Sequence, residues 1–235
     1  MEEPLKIVYS YRFDDGATRS FEIALNRKDL AIFPKECQAP PYWAELNRHK
    51  CDICSLDEKT HAHCPIALNL ADISDGFKDY FAYENVGVTV TTEDRNYSKN
   101  TSLQEGLSAL IGIVMVTSGC PVMEKLKPMV RFHLPFASLV EGIYRTVSMY
   151  LMAQYFLNKD GMEADWALNG LEDIYSRVGI VNRDFAKRLL EAAKKDANVN
   201  ALVNLDCFAS MAAISTEDTL NDIKLYFSSY FNRAD

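Results

Sequence analysis

Residues 5–25 read LKIVYSYRFDDGATRSFEIAL, and the start of the fold is decided in this stretch. Ile7, Tyr9, Tyr11 and Phe13 alternate with Val8, Ser10 and Arg12, the period of two that puts alternate side chains on opposite faces of a strand. Asp14-Asp15-Gly16 follows, and Asp-Gly signals a hairpin turn because glycine accepts a positive φ. Phe21, Ile23 and Leu25 alternate on the return strand. These residues predict a β-hairpin with one apolar face that must be covered. A third strand is expected where Val86, Val88 and Val90 alternate with Gly87 and Thr89, joining the hairpin in a small antiparallel sheet.

From residue 101 the pattern turns helical. Thr101-x-x-Gln104 has the form of a capping box, and Leu103, Leu107, Leu110, Ile111 and Val114 follow at helical spacing. Gly119 is placed to end that helix and Pro121 to start the next. Ser138-x-x-Glu141 opens a long helix carrying Leu139, Ile143, Val147, Tyr150, Leu151 and Gln154, with Gly161 as its stop. Further helices are predicted at about 163–178, 182–196, 199–213 and 217–232, the last with Leu220, Ile223, Phe227 and Tyr230 on one face. The expectation is an α+β fold in one compact unit. Residues 1–100 supply the hairpin, a metal-binding loop and the third strand, and residues 101–235 a bundle-like helical body.

The bulk composition agrees with a globular chain. The sequence has 235 residues, 48% of them hydrophobic and 25% charged, with 25 Lys+Arg against 33 Asp+Glu and a net charge of −8. This balance excludes a disordered or collagen-like chain. The first residues lack a basic start and apolar core of a signal peptide. No apolar run reaches the ~18–20 residues of a membrane span. A cytoplasmic location is therefore expected, with no membrane partner. An acidic chain is also poorly suited to nucleic acid. Its one modest basic cluster, Arg27, Lys28, Lys35, Arg48 and Lys50, reads as a solvated face.

Chemistry concentrates in residues 34–76, a stretch broken by Pro34, Pro40, Pro41 and Pro65. It is too long to be an idle loop. Cys51 and Cys54 form a C-x2-C pair, followed by His61, His63 and Cys64. Such a pair aims two sulfurs at one point, and zinc then needs two more soft or borderline ligands from nearby chain. Cys51, Cys54, His63 and Cys64 are the expected set, with His61 as the alternative to His63 and with His49 and Cys37 as outside candidates. Reduced cytoplasmic thiols favour a metal over a disulfide. Zinc is expected ahead of an iron–sulfur cluster. Four protein ligands would close the site and make it structural.

Cys120, in Thr117-Ser-Gly-Cys-Pro121, stands at a helix start, where exposed amides favour a thiolate. His133, in Arg131-Phe-His-Leu-Pro135, is a conceivable base for it. The bland reading, core or capping roles for both, carries more weight. Cys207 is expected in the core among Leu202, Leu205, Phe208 and Ala209. There is no G-x-G-x-x-G, G-x4-G-K-[ST], G-x-S-x-G or H-E-x-x-H motif. Nucleotide binding by common loops, serine hydrolysis and zincin proteolysis therefore lack support.

Taken together, Cys51-x-x-Cys54 with His63-Cys64-Pro65, Thr117 to Pro121, Arg131-Phe-His-Leu-Pro-Phe-Ala137, Ser148-Met-Tyr-Leu151 with Gln154-Tyr-Phe156, and Asn200-Ala-Leu with Leu205-Asp206 resemble an uncharacterised bacterial protein family of unknown function. The resemblance spans nearly the whole chain. It implies that His63 belongs with the cysteines and that Cys120 and His133 have a role, and it implies no activity. The expectation is a non-catalytic zinc protein whose helical body meets a protein partner or a second copy. The alternatives are a metal- or thiol-dependent enzyme using Cys120 and His133, and an iron–sulfur redox protein.

Overall fold

A computed structural model describes residues 3–34, 39–214 and 216–231. The hairpin forms as β1 (Leu5–Phe13) and β2 (Thr18–Leu25), with Gly16 at φ +86° in the turn. β3 (Asn85–Thr91) pairs with the other edge of β1, so that Tyr9 faces Val90, Tyr11 faces Val88 and Phe13 faces Val86. A fourth strand, β4 (Asn96–Ser102), completes an antiparallel sheet in the order β2-β1-β3-β4. The expected three-stranded sheet is thus one strand short. β4 reads Asn-Tyr-Ser-Lys-Asn-Thr-Ser, and only Tyr97 among these is a large apolar residue, so it carries no alternation to see. It also overturns the capping box read at Thr101. That residue belongs to β4 and its hydroxyl donates to the Glu105 carboxylate, while Ser102 precedes the helix without a side-chain cap.

One face of the sheet is apolar and buried, carrying Ile7, Tyr9, Tyr11, Phe13, Ile23, Val86, Val88 and Val90. It is covered by α1 (Pro65–Phe77) and α2 (Leu103–Thr117). Phe77 meets the Tyr11 ring edge-on at 5.0 Å, and the Tyr11 hydroxyl donates to the Gly106 carbonyl at 3.0 Å. Burying side chains of this size contributes about 1.5–3 kcal/mol each. Pro65, read from sequence as a breaker, instead begins α1. Its missing N–H costs nothing at a first helical position.

The helical body continues through a 3-10 turn (Met123–Leu126), α3 (Pro128–Arg131), α4 (Leu139–Lys159), α5 (Asn169–Ala192), α6 (Ala197–Ile214), α7 (Thr216–Ile223), a second 3-10 turn (Lys224–Phe227) and α8 (Ser228–Phe231). The Ser138–Glu141 capping box of α4 is present, with both reciprocal bonds made. Gly119 and Gly161 take the positive φ expected of helix stops. Two predicted helices, 163–178 and 182–196, are one. α5 runs unbroken through Gly179, because no proline interrupts it and α6 packs along it. Its start is later than expected, since Asp165 accepts from the Ala167 and Gly170 N–H groups and holds 162–168 as a loop. The predicted helix over 217–232 is segmented, and of its proposed inner face Ile223 is buried while Phe227 and Tyr230 are exposed. Among the described residues no single helix is long and apolar enough to cross a membrane.

Candidate metal centre: a cluster of four thiols

The C-x2-C segment is a tight turn closed by Cys54 N–H donating to the Cys51 carbonyl at 2.9 Å. Two α5 residues four apart, hence on one helix face, fix this region. Asp184 accepts the Asp52 N–H at 3.1 Å, and Arg188 reaches the carbonyls of Trp43, Glu45 and Leu46. Burial pushes the Asp184 carboxyl up, but the Lys187 ammonium and the Asp52 N–H outweigh it and hold the group below its ordinary value.

The chain returns at 62–64 beside this segment. Glu45 and His63 form an antiparallel bridge, Leu46 N–H donates to the Ala62 carbonyl at 2.9 Å and Cys64 N–H to the Ala44 carbonyl at 2.8 Å. His63, at the bridge, is directly followed by Cys64. Cys64 then stands immediately before α1, where the Ala67 and Ile66 N–H groups pull its thiol down against burial.

Cys120 repeats this local arrangement. It too precedes a proline, and the Met123 and Val122 N–H groups pull its thiol down against burial. The fold places it with the loop cysteines. In all six pairings of Cys51, Cys54, Cys64 and Cys120 the thiols are close enough for their charges to act on one another. Burial, reinforced by these neighbours, pushes the Cys51 thiol up to about 12. Burial also raises Cys64 and Cys120 against the lowering pull of their amide donors. The helix-start amides at Cys120 therefore do not win, contrary to the thiolate expected from sequence. The Arg188 cation acts on Cys64, and Cys51 acts on the Lys187 ammonium. Among the described residues, no group of three or more His, Cys, Asp or Glu is drawn together tightly enough to hold a metal ion as it stands.

The other candidates lie elsewhere. His61 is exposed, with Nδ1 2.9 Å from its neighbour Thr60 Oγ1. His49 Nε2 is 2.9 Å from Glu191 Oε1. Cys37 lies outside the described residues. Cys207 is exposed and not in the core, because α6 turns Ala201, Leu202 and Ala209 inward. His133 Nε2 is 2.6 Å from the Tyr9 hydroxyl, and burial, then Arg145, pushes its imidazole down to about 3. Cys120 is not among the groups acting on it. Much of the basic cluster is matched by carboxylates: Arg27 by Glu93, Arg48 by Glu45 and Glu191, and Lys50 by Glu58. Lys35 lies outside the described residues.

A family model described as a domain of unknown function, DUF6901, matches residues 7–228. The chain belongs to that family. No curated protein and no solved structure matches it. The DUF6901 match takes in the sheet, the four thiols and most of the helical body, in keeping with the family of unknown function that the sequence resembles. The thiol that sequence reasoning kept apart from the loop is Cys120. The signal available was the recurrence of Cys-Pro, at 64–65 and 120–121, each opening a helical turn.

Proposed function

We propose that this chain is a zinc-binding protein in which the ion is structural, held by Cys51, Cys54, Cys64 and Cys120. The single observation that carries this reading is that four thiols from three separate stretches of chain act electrostatically on one another. Tetrahedral zinc with four sulfur ligands is a closed site without an open position for substrate or water. Four thiolates around Zn²⁺ carry a net charge of −2, and Arg188 and Lys187 are the nearby cations that offset it. In this reading His63, the ligand expected from sequence, gives way to Cys120, which, unlike His63, is among the groups acting on the loop thiols.

The helical body supports the companion reading of a partner or a second copy. Val140, Tyr144, Met152, Tyr155 and Phe156 on α4 are exposed, as are Leu225, Tyr226 and Tyr230. Large exposed apolar groups of this kind mark interaction surfaces. Light scattering of the purified protein reads the oligomeric state directly.

The metal reading is tested by elemental analysis of protein purified without chelator, with Cys120→Ser and His63→Ala alongside. One zinc per wild-type chain is expected, lost from Cys120→Ser and kept by His63→Ala. Less than about 0.2 zinc per wild-type chain, with no other metal, overturns the reading. A brown protein absorbing near ~400 nm overturns it in favour of an iron–sulfur cluster.

A further inference from the structure

A cavity of about 510 Å³ opens in the helical body beside α2. Its walls come from α2, the 123–137 segment, α4, α5 and α6, with Lys99 of β4 at one edge. Ile113, Val116, Met123, Leu126 and Phe208 make the surface largely apolar. The volume falls in the range of small-molecule sites, which combine apolar walls with a few fixed polar groups. A second concavity of about 560 Å³ over the solvent face of the sheet is framed by Ser10, Arg12, Ser20, Thr89 and Lys99, and it has no such apolar lining.

Several polar groups line the cavity; Lys99 and Glu105 pair with each other at 3.5 Å, while Arg145 and Asn182 have bonding capacity left over. Arg145 on α4 is half-buried. Its Nη2 donates to the carbonyls of Met129 at 3.0 Å and Phe132 at 2.8 Å. These bonds fix the guanidinium and leave its Nε and Nη1 hydrogens undonated. No carboxylate among the described residues forms an ion pair with it; the nearest acid acting on it, Glu141, is bound to Ser138 at the cap of α4. Asn182 on α5 is 2% exposed, and its Oδ1 has no hydrogen-bond partner. A buried amide oxygen left unpaired costs about 1–3 kcal/mol, so it awaits a donor. His133, also on the wall, is engaged by Tyr9 and is uncharged near neutral pH. It adds no second positive charge.

We infer that this cavity is a binding site for a small amphipathic carboxylate, with the acid on the guanidinium of Arg145 and the apolar body against α2 and Phe208. The chemistry selects this class. The Nε and Nη1 hydrogens of a fixed, half-buried guanidinium without an acid partner remain as single charge-assisted donors to a carboxylate oxygen. The apolar walls reject a strongly hydrated anion such as free phosphate, and Asn182 favours a body that carries a hydroxyl or N–H group. The site lies on the helical body and does not depend on zinc.

Octanoate is a suitable probe, with octan-1-ol as its uncharged match. Titration calorimetry on the wild-type chain should give saturable one-to-one binding of octanoate, at least tenfold tighter than octan-1-ol. Arg145→Gln should abolish that preference, weakening octanoate tenfold or more and leaving octan-1-ol unchanged. Ala109→Phe, which fills the cavity from α2, should remove binding of both. The absence of saturable octanoate binding to folded wild-type protein up to about 1 mM overturns the inference. So does equal affinity for acid and alcohol, a comparison that stands even if Arg145→Gln fails to fold. Amide shifts on octanoate addition that map away from Ile113, Arg145 and Asn182 overturn it as well.

Discussion

The guanidinium of Arg188, 1% exposed, donates to the main-chain carbonyl of Trp43 at 2.6 Å. The same group reaches Glu45 at 2.6 Å and Leu46 at 3.4 Å. One α5 side chain thus satisfies three carbonyls of the segment leading into the cysteine turn. Removing it strands them in a buried setting, and each unsatisfied group costs about 1–3 kcal/mol. Arg188→Met is expected to lower stability by about 3 kcal/mol or more, read from urea unfolding at matched metal content. Arg188→Lys should restore little, because an ammonium lacks the planar fork. A loss below about 1 kcal/mol for Arg188→Met would show the segment to be held by other contacts.

The burial of His133, with Arg145 beside it, gives stability a pH dependence. His133 titrates near 3 in the folded chain, below its ordinary 6.5. Between those values the unfolded chain holds a proton that the folded chain does not, so stability falls as the solution is acidified through that window. The slope contributed is at most about 1.4 kcal/mol per pH unit. Urea midpoints from pH 7 to 4 should drop more steeply for wild type than for His133→Gln. Parallel curves for the two proteins would remove His133 as the cause.

Gly106 allows α2 to lie close on the sheet. A Cβ there would come within 2.8 Å of Val88 Cγ2, and Val88 is itself buried. Alanine gains up to about 1 kcal/mol of helix propensity over glycine, but overpacking a filled core costs about 1–3 kcal/mol. Gly106→Ala should therefore lower the melting temperature. A raised one would mean that the sheet and α2 separate easily.

Zinc removal should loosen the loop first. A structural ion contributes its binding energy to the fold of the segment that it closes, and residues 39–64 hold little regular structure besides the turn at Tyr42–Ala44. Chelation is expected to bring rapid proteolysis within that segment while the helical body resists. An unchanged cleavage pattern in fully demetallated protein would deny the ion a structural role.

The hairpin, the third strand and most of the helical body were legible because their residues carry a period. Tyr9 and Tyr11 two apart, and Leu103 and Leu107 four apart, state a face by themselves. β4 was not legible, since Ser98, Lys99 and Asn100 look outward and its inward groups are mostly small. α1 was hidden because Pro65 breaks a helix or starts one according to what precedes it. At the metal centre the C-x2-C pair and Cys64 are local signals. Cys120, 56 positions further along, joins them only through the packing of α2 against the sheet. Arg145 and Asn182 carry no motif at all, and they become conspicuous only where a cavity leaves their polar atoms without partners.

The sheet order has a consequence for the ribosome. β1 is central, yet its second neighbour β3 starts at Asn85, its cover α2 ends at Thr117, and Tyr9 finds His133 only 124 residues along the chain. Throughout that interval the nascent polypeptide carries an uncovered aromatic stripe from Tyr9 to Phe13. Exposed apolar strands are the species that associate wrongly before folding is complete. Translation rate, and any chaperone that shelters the first hundred residues, therefore bear on the yield of this protein alongside its final stability.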